Sequence, residues 1–103
     1  MRKIVIRVMG ALLASSPATA QNLIRGEHIA RNQCAVCHTV ETESSGSKRQ
    51  LRAPSFASIA HRPEVTSQFL DSYLSRHHQG MPNFFLTYSE ISDVSAYILS
   101  LRK

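Results

Sequence analysis

The chain has 103 residues, enough for one small domain and little more. Twelve Lys and Arg against 7 Asp and Glu give a formal +5. Arg2, Lys3 and Arg7 crowd the first twenty positions, however, and the remainder carries 9 basic and 7 acidic residues, which argues against a strongly basic nucleic-acid binder. The composition, 43% hydrophobic and 18% charged, is that of a globular chain, and two cysteines cannot frame a disulfide-rich scaffold.

Residues 1–20 have the layout of a secretory signal. Arg2 and Lys3 lead into the apolar stretch Val8-Met9-Gly10-Ala11-Leu12-Leu13-Ala14, and Ala18-Thr19-Ala20 supplies small residues on either side of the threonine, as a signal peptidase requires. Cleavage is expected between Ala20 and Gln21. An anchoring or amphipathic helix is the alternative, kept open by Arg7 within the apolar stretch. That stretch falls well short of the roughly 18 residues that span a bilayer, so no stable membrane insertion is expected after cleavage. The mature domain, 21–103, has 83 residues. A chain of that size buries about 60–65% of its unfolded surface and commonly needs a staple or a cofactor to complete its core.

Leu23 to Gln33 reads as a first helix, with Leu23, Ile24, Ile29 and Ala30 as its apolar positions. Gly26 and Ala30, four apart and both small, make a notch where another helix can approach closely. The stretch from Thr39 to Arg52 turns polar around Ser44-Ser45-Gly46-Ser47-Lys48 and reads as a surface loop. Pro54 restarts order, with a short helical segment through Phe56, Ile59 and Ala60 before Pro63. Thr66 is placed to cap a middle helix carrying Phe69, Leu70, Tyr73 and Leu74. Gln79-Gly80-Met81-Pro82-Asn83 is a break, because glycine frees the backbone and proline removes a donor. Thr87 and Glu90 form a capping box with Leu86 and Ile91 at the staple positions, opening a last helix whose face is Ile91, Val94, Ile98 and Leu101, with Tyr97 beside them. No strand pattern is present, so the fold class is all-α.

Cys34-Ala35-Val36-Cys37-His38 is a C-x-x-C-H motif, the attachment signature of c-type haem. Thiols three positions apart can reach both vinyl groups of one porphyrin, and the next side chain, His38, is then directed at the iron as a metal ligand. Three other readings compete. A thioredoxin-like pair needs a strand before the motif and a helix after it, whereas here a helix precedes and a polar loop succeeds it. A zinc site needs a second ligand cluster, and no further cysteine exists. The last is a chance match in an intracellular protein, against which the exported context weighs.

Met1 and Met9 leave with the signal, making Met81 the mature chain's one methionine. A lone methionine is ordinarily a core filler. Met81 instead sits in a Gly-Met-Pro break off any apolar helix face, where a loop ligand to iron would sit, and a thioether there favours the reduced metal. His77 and His78 are its rivals as second ligand. They are read, with less weight as ligands, at the solvent-facing end of the middle helix. His28 and His61 are read as surface residues.

Together these pieces resemble the class I c-type cytochromes. The resemblance runs from Leu23 to Leu101 and keeps one order: the Gly26–Ala30 notch, Cys34 to His38, Ala53-Pro54-Ser55-Phe56, Gly80-Met81-Pro82 and Ala96 to Leu101. It implies a cytochrome c fold of three to four helices around one covalently attached haem c per chain. It further implies that the Pro54 carbonyl accepts the Nδ1–H of His38, and that Gly26 and Tyr97 mark the crossing of the first and last helices. Arg52 is a candidate partner for a haem propionate, with a solvated loop charge as the equal alternative. The chain departs from better-known members in having no Trp and in keeping only Lys48 and Lys103 as mature lysines. A lysine ring for acidic partners is therefore not expected.

The function expected is periplasmic one-electron transfer by a monomer, with His38 and Met81 closing both faces of the iron and no substrate chemistry of its own. Phe56, Ile59, Leu70, Leu74, Phe84, Phe85 and Tyr97 are the apolar candidates for haem pocket and core. Partners are redox proteins: a dehydrogenase, a cytochrome complex or a terminal oxidase. The alternatives are a haem subunit or accessory module of a dehydrogenase or oxidase, and a haem sensor whose sixth ligand can be displaced.

Overall fold

A computed structural model describes residues 6, 10–11, 22–41, 53–76, 80–82 and 85–102. The segment read as a signal lies almost entirely outside them, as do Lys48, Arg52, His77, His78, Phe84 and Lys103. Among the described residues the chain forms four helices and no strand: α1 Leu23–Ile29, α2 Phe56–Ala60, α3 Ser67–Leu74 and α4 Tyr88–Ser100.

Each helix starts where a side chain can satisfy the first free amides. Asn22 caps α1 by accepting from Arg25 N, Ser55 caps α2 by accepting from Ser58 N, and Thr66 caps α3 by accepting from Phe69 N. At α4, Thr87 Oγ1 accepts from Glu90 N at 3.3 Å while Glu90 Oε2 accepts from Thr87 N at 2.8 Å, completing the capping box. Thr87→Ala removes half of this exchange from the longest helix. It is expected to cost about 1 kcal/mol, read as a lower denaturation midpoint with an unchanged slope.

The last helix organises the core. Ile91, Val94, Tyr97, Ile98 and Leu101 are all buried, the face expected from their spacing. Against them pack Ile29 and Ala30 from the first helical stretch, Phe56 and Ala60 from α2, Val65 ahead of α3, and Leu70. Burying each large apolar side chain contributes about 1.5–3 kcal/mol.

The crossing of α1 and α4 is unusually close. A Cβ placed on Gly26 would collide with the carbonyl oxygen of Asp93, and would lie 2.6 Å from that carbonyl carbon and 3.1 Å from Tyr97 Cβ. Two polar links lock the crossing: the buried carboxylate of Asp93 accepts the backbone N–H of Asn22 at 2.9 Å and pairs with the Arg25 guanidinium. Across the other contact of α4, the buried Ser95 hydroxyl donates to Asp71 of α3 at 2.6 Å.

Two expectations for the first helix need correction. It is regular only to Ile29, after which Ala30–Cys34 forms a π-helical turn with Ala35 N donating to Ala30 O at 2.9 Å. Leu23 and Ile24 are also exposed, Ile24 at 82%. The inward stripe is Gly26, Ile29 and Ala30, because the crossing needs small residues where Asp93 and Tyr97 press in. Ile24 falls on the opposite side of that stripe, whereas Leu23 lies beside it in the exposed first turn.

The C-terminus is clipped down by one side chain. The guanidinium of Arg102 donates to the carbonyls of Ala60 at 2.5 Å, Val65 at 2.8 Å and Arg62 at 3.1 Å. Three backbone acceptors from the α2–α3 connection are thereby satisfied by a residue about forty positions away.

Candidate functional site

The motif begins inside the π-helical turn and finishes in the tight turn after it. Cys34 closes the first, and its carbonyl accepts from both Cys37 N at 3.1 Å and His38 N at 2.9 Å. A π turn holds one residue more than an α turn over the same span, which rotates the facing of every later side chain in the motif, and such turns recur at functional sites. Here Cys34 lies buried and Cys37 exposed. Burial pushes the Cys34 thiol, before any thioether forms, up to about 11.

His38 is half-buried and fixed by a neighbour sixteen residues on. Its Nδ1–H donates to Pro54 O at 2.6 Å, leaving Nε2 unengaged among the described residues. The hydrogen bond settles the tautomer: with Nδ1 protonated, Nε2 carries the lone pair. Phe56 packs beside the ring at a centroid distance of 5.3 Å, and Tyr97 lies 6.4 Å beyond Phe56. Two adjacent thiols and one oriented imidazole nitrogen form a donor set for covalent attachment and axial ligation. Among the described residues no group of three or more His, Cys, Asp or Glu is placed to hold a metal ion by itself.

A family model for cytochrome c matches residues 23–102, nearly all of the chain after the leader-like segment. The chain belongs to the cytochrome c family. Cytochrome c-552 of Bradyrhizobium diazoefficiens is 38% identical to it over 95 residues, which cover 92% of this chain and 89% of the relative. No solved structure gives a significant match. Membership makes this cytochrome a haem-based electron carrier with covalently bound haem c, an iron porphyrin. Proteins of this type are typically extracytoplasmic, and no helix among the described residues is long and apolar enough to cross a membrane.

The remaining expected residues of the cytochrome fall into several settings. Met81 is half-buried, directly after Gly80, whose φ of +83° requires glycine for an unstrained turn. Pro54 is exposed, with its carbonyl on His38. Arg52 lies outside the described residues, as do the rival ligands His77 and His78. His28 and His61 are both exposed, as read from the sequence. Of the apolar candidates, Phe56, Leu70 and Tyr97 are buried, while Ile59 and Leu74 pack against the core from partly buried positions.

Phe85, a candidate for the haem pocket and core, lies outside the buried core of the polypeptide. It is 85% exposed with φ of +52°, left-handed backbone that a bulky side chain rarely adopts. Phe69 and Tyr73 stack on each other at 6.0 Å on the open side of α3 and are both exposed, since the core takes only Leu70 and part of Leu74 from this helix.

Two polar positions escape a reading of the sequence. Tyr97 registers there as an apolar ring and as a helix-crossing residue, yet its hydroxyl donates to the Val40 carbonyl at 2.6 Å. Asp93 interrupts the apolar face of α4, and a carboxylate in that setting signals a buried polar partner.

Proposed function

We propose that this cytochrome is a periplasmic one-electron carrier whose iron is held between His38 Nε2 and the Met81 thioether. The 2.6 Å hydrogen bond from His38 Nδ1 to Pro54 O is the observation that supports it best. That bond leaves the far nitrogen unprotonated and aimed by the backbone, and it strengthens the imidazole as a donor. When bound, haem c supplies the one-electron iron couple.

The residues of the chain provide the rest. Cys34 and Cys37 would hold the haem covalently as thioethers. Phe56 and the buried face of α4 exclude water on the His38 side, which disfavours the more highly charged ferric state. Met81, presented by the Gly80 turn, is a soft ligand that acts in the same direction. Arg52 would neutralise a propionate. Ala35, Val36 and Cys37 are exposed, Val36 at 65%, and form the uncharged edge through which a redox partner would exchange the electron. Residues 1–20 act as the export signal and are removed before Gln21.

Met81→Ala tests the ligand pair. In protein matured with the haem-attachment machinery, the variant is expected to keep its covalent haem and lose the weak long-wavelength sulfur-to-iron band. Its reduced form is expected to gain carbon monoxide binding at neutral pH that the parent lacks. A variant with the parent's spectrum in both oxidation states removes Met81 from the site. Rapid carbon monoxide binding by the parent itself would favour a sensor with a displaceable ligand.

A further inference from the structure

The four residues after Cys37 are each tied to a different part of the molecule. His38 Nδ1 donates to Pro54 O at 2.6 Å, Thr39 O accepts from Phe56 N at 2.9 Å, Val40 O accepts from Tyr97 Oη at 2.6 Å, and Glu41 pairs with Arg31 at 2.5 Å. The first two ties join neighbouring stretches of the same loop base and would move together with it. The Glu41 pair is exposed on both partners, so water can replace it. The Tyr97 tie alone runs from the buried face of α4, the most extensively packed helix, and ends on a carbonyl whose residue is also buried.

We propose that Tyr97 is a positioning residue for His38, its hydroxyl holding the backbone at Val40 so that the imidazole keeps its short hydrogen bond to Pro54. The proposal rests on the reading of His38 as the iron ligand. The mechanical link is short: two peptide units separate Val40 from His38, and the units are planar and inextensible. With the hydroxyl gone, Val40 O would be a buried acceptor without a donor, a state that backbone displacement toward water relieves. That displacement pulls on Thr39 and then on His38, lengthening the Nδ1–H···O bond. A weaker bond makes the imidazole a poorer donor and shifts the couple toward the reduced iron.

Tyr97→Phe isolates the hydroxyl, since the ring that packs beside Phe56 is retained. At the ambient potential that half-reduces the parent holoprotein, the ratio of reduced to oxidised variant is expected to rise about two- to fourfold, with shifted paramagnetic proton resonances of the His38 ring. Ser95→Ala is the comparison: it removes a buried hydroxyl bond from the same helix, toward Asp71, away from the motif. It should lower stability to a similar degree and leave both the ratio and the His38 resonances at parent values. Tyr97→Phe indistinguishable from the parent, or a shift equal to that of Ser95→Ala, overturns the positioning role. Absence of iron-shifted His38 resonances in the parent itself would instead overturn the ligand reading on which the role rests.

Discussion

Gly26→Val is expected to prevent accumulation of folded holoprotein, and Gly26→Ala to cost about 3 kcal/mol or more. Overpacking usually costs about 1–3 kcal/mol because side chains can change rotamer and share the strain. That relief is missing here. The atom a new Cβ would strike is the backbone carbonyl oxygen of Asp93, in the middle of α4, with its carbon only 2.6 Å away. Moving it means separating the two helices. Separation would pull Asp93 from Asn22 N and Arg25, and would loosen Tyr97 at its hydrogen bond to Val40. Gly→Ala within an exposed helix interior would otherwise help by about 1 kcal/mol, so the sign of the effect is diagnostic. Thermal unfolding of Gly26→Ala checks it: about 3 kcal/mol corresponds to roughly 12–24 °C in a domain of this size. An unchanged or raised midpoint would show that the helices do not meet at Gly26.

Replacing Cys34 and Cys37 together by Ser is expected to give a colourless chain that loses most of its helical circular dichroism at room temperature. The stability available to the family domain, residues 23–102, is about 4–12 kcal/mol. Among the described residues, the core is a modest set gathered on one face of α4, while Phe69, Tyr73 and Phe85 stay exposed. A covalently attached porphyrin adds apolar surface to the folded state and is tethered there at very high effective concentration. Its loss removes a contribution comparable to the whole margin. Circular dichroism with a pyridine haemochrome assay on both proteins decides the matter. A serine variant with full helicity would mean that the polypeptide core suffices on its own. Single replacements separate the two thiols: Cys34 sits buried in the π-helical turn and Cys37 lies exposed after it. Losing the Cys34 tether is therefore expected to perturb packing more.

The formal charge of residues 21–103 bears on how the carrier meets redox partners. A formal +2 (9 basic less 7 acidic residues), carried mostly by arginines, gives little long-range steering. The exposed run Ala35–Cys37 carries no charge, so contact at that edge depends on apolar fit.

Much of the fold is legible in the sequence because its signals are local. The caps at Thr66 and Thr87 arise from single residues three positions before an amide they can serve, and the face of α4 arises from helical spacing. The C-x-x-C-H motif is likewise written in five consecutive residues. The first helix is less legible. Leu23 and Ile24 are apolar but exposed, and spacing alone cannot tell that the inward stripe starts at Gly26, a residue with no side chain to register in a hydrophobic pattern. The π-helical turn is hidden for a similar reason, since one extra residue in a turn leaves no compositional trace.

The chemistry at the centre is written in the sequence alone: two thiols and an imidazole in fixed order, in a helix-rich chain with Met81 in a Gly-Met-Pro break. The Pro54 carbonyl on His38 follows from the family resemblance and not from any local spacing, and only the tertiary structure decided that Tyr97 reaches Val40 across 57 residues. Such bonds depend on where helices cross, and that is set by steric exclusion between surfaces such as Gly26 and Asp93, which no local run of residues encodes.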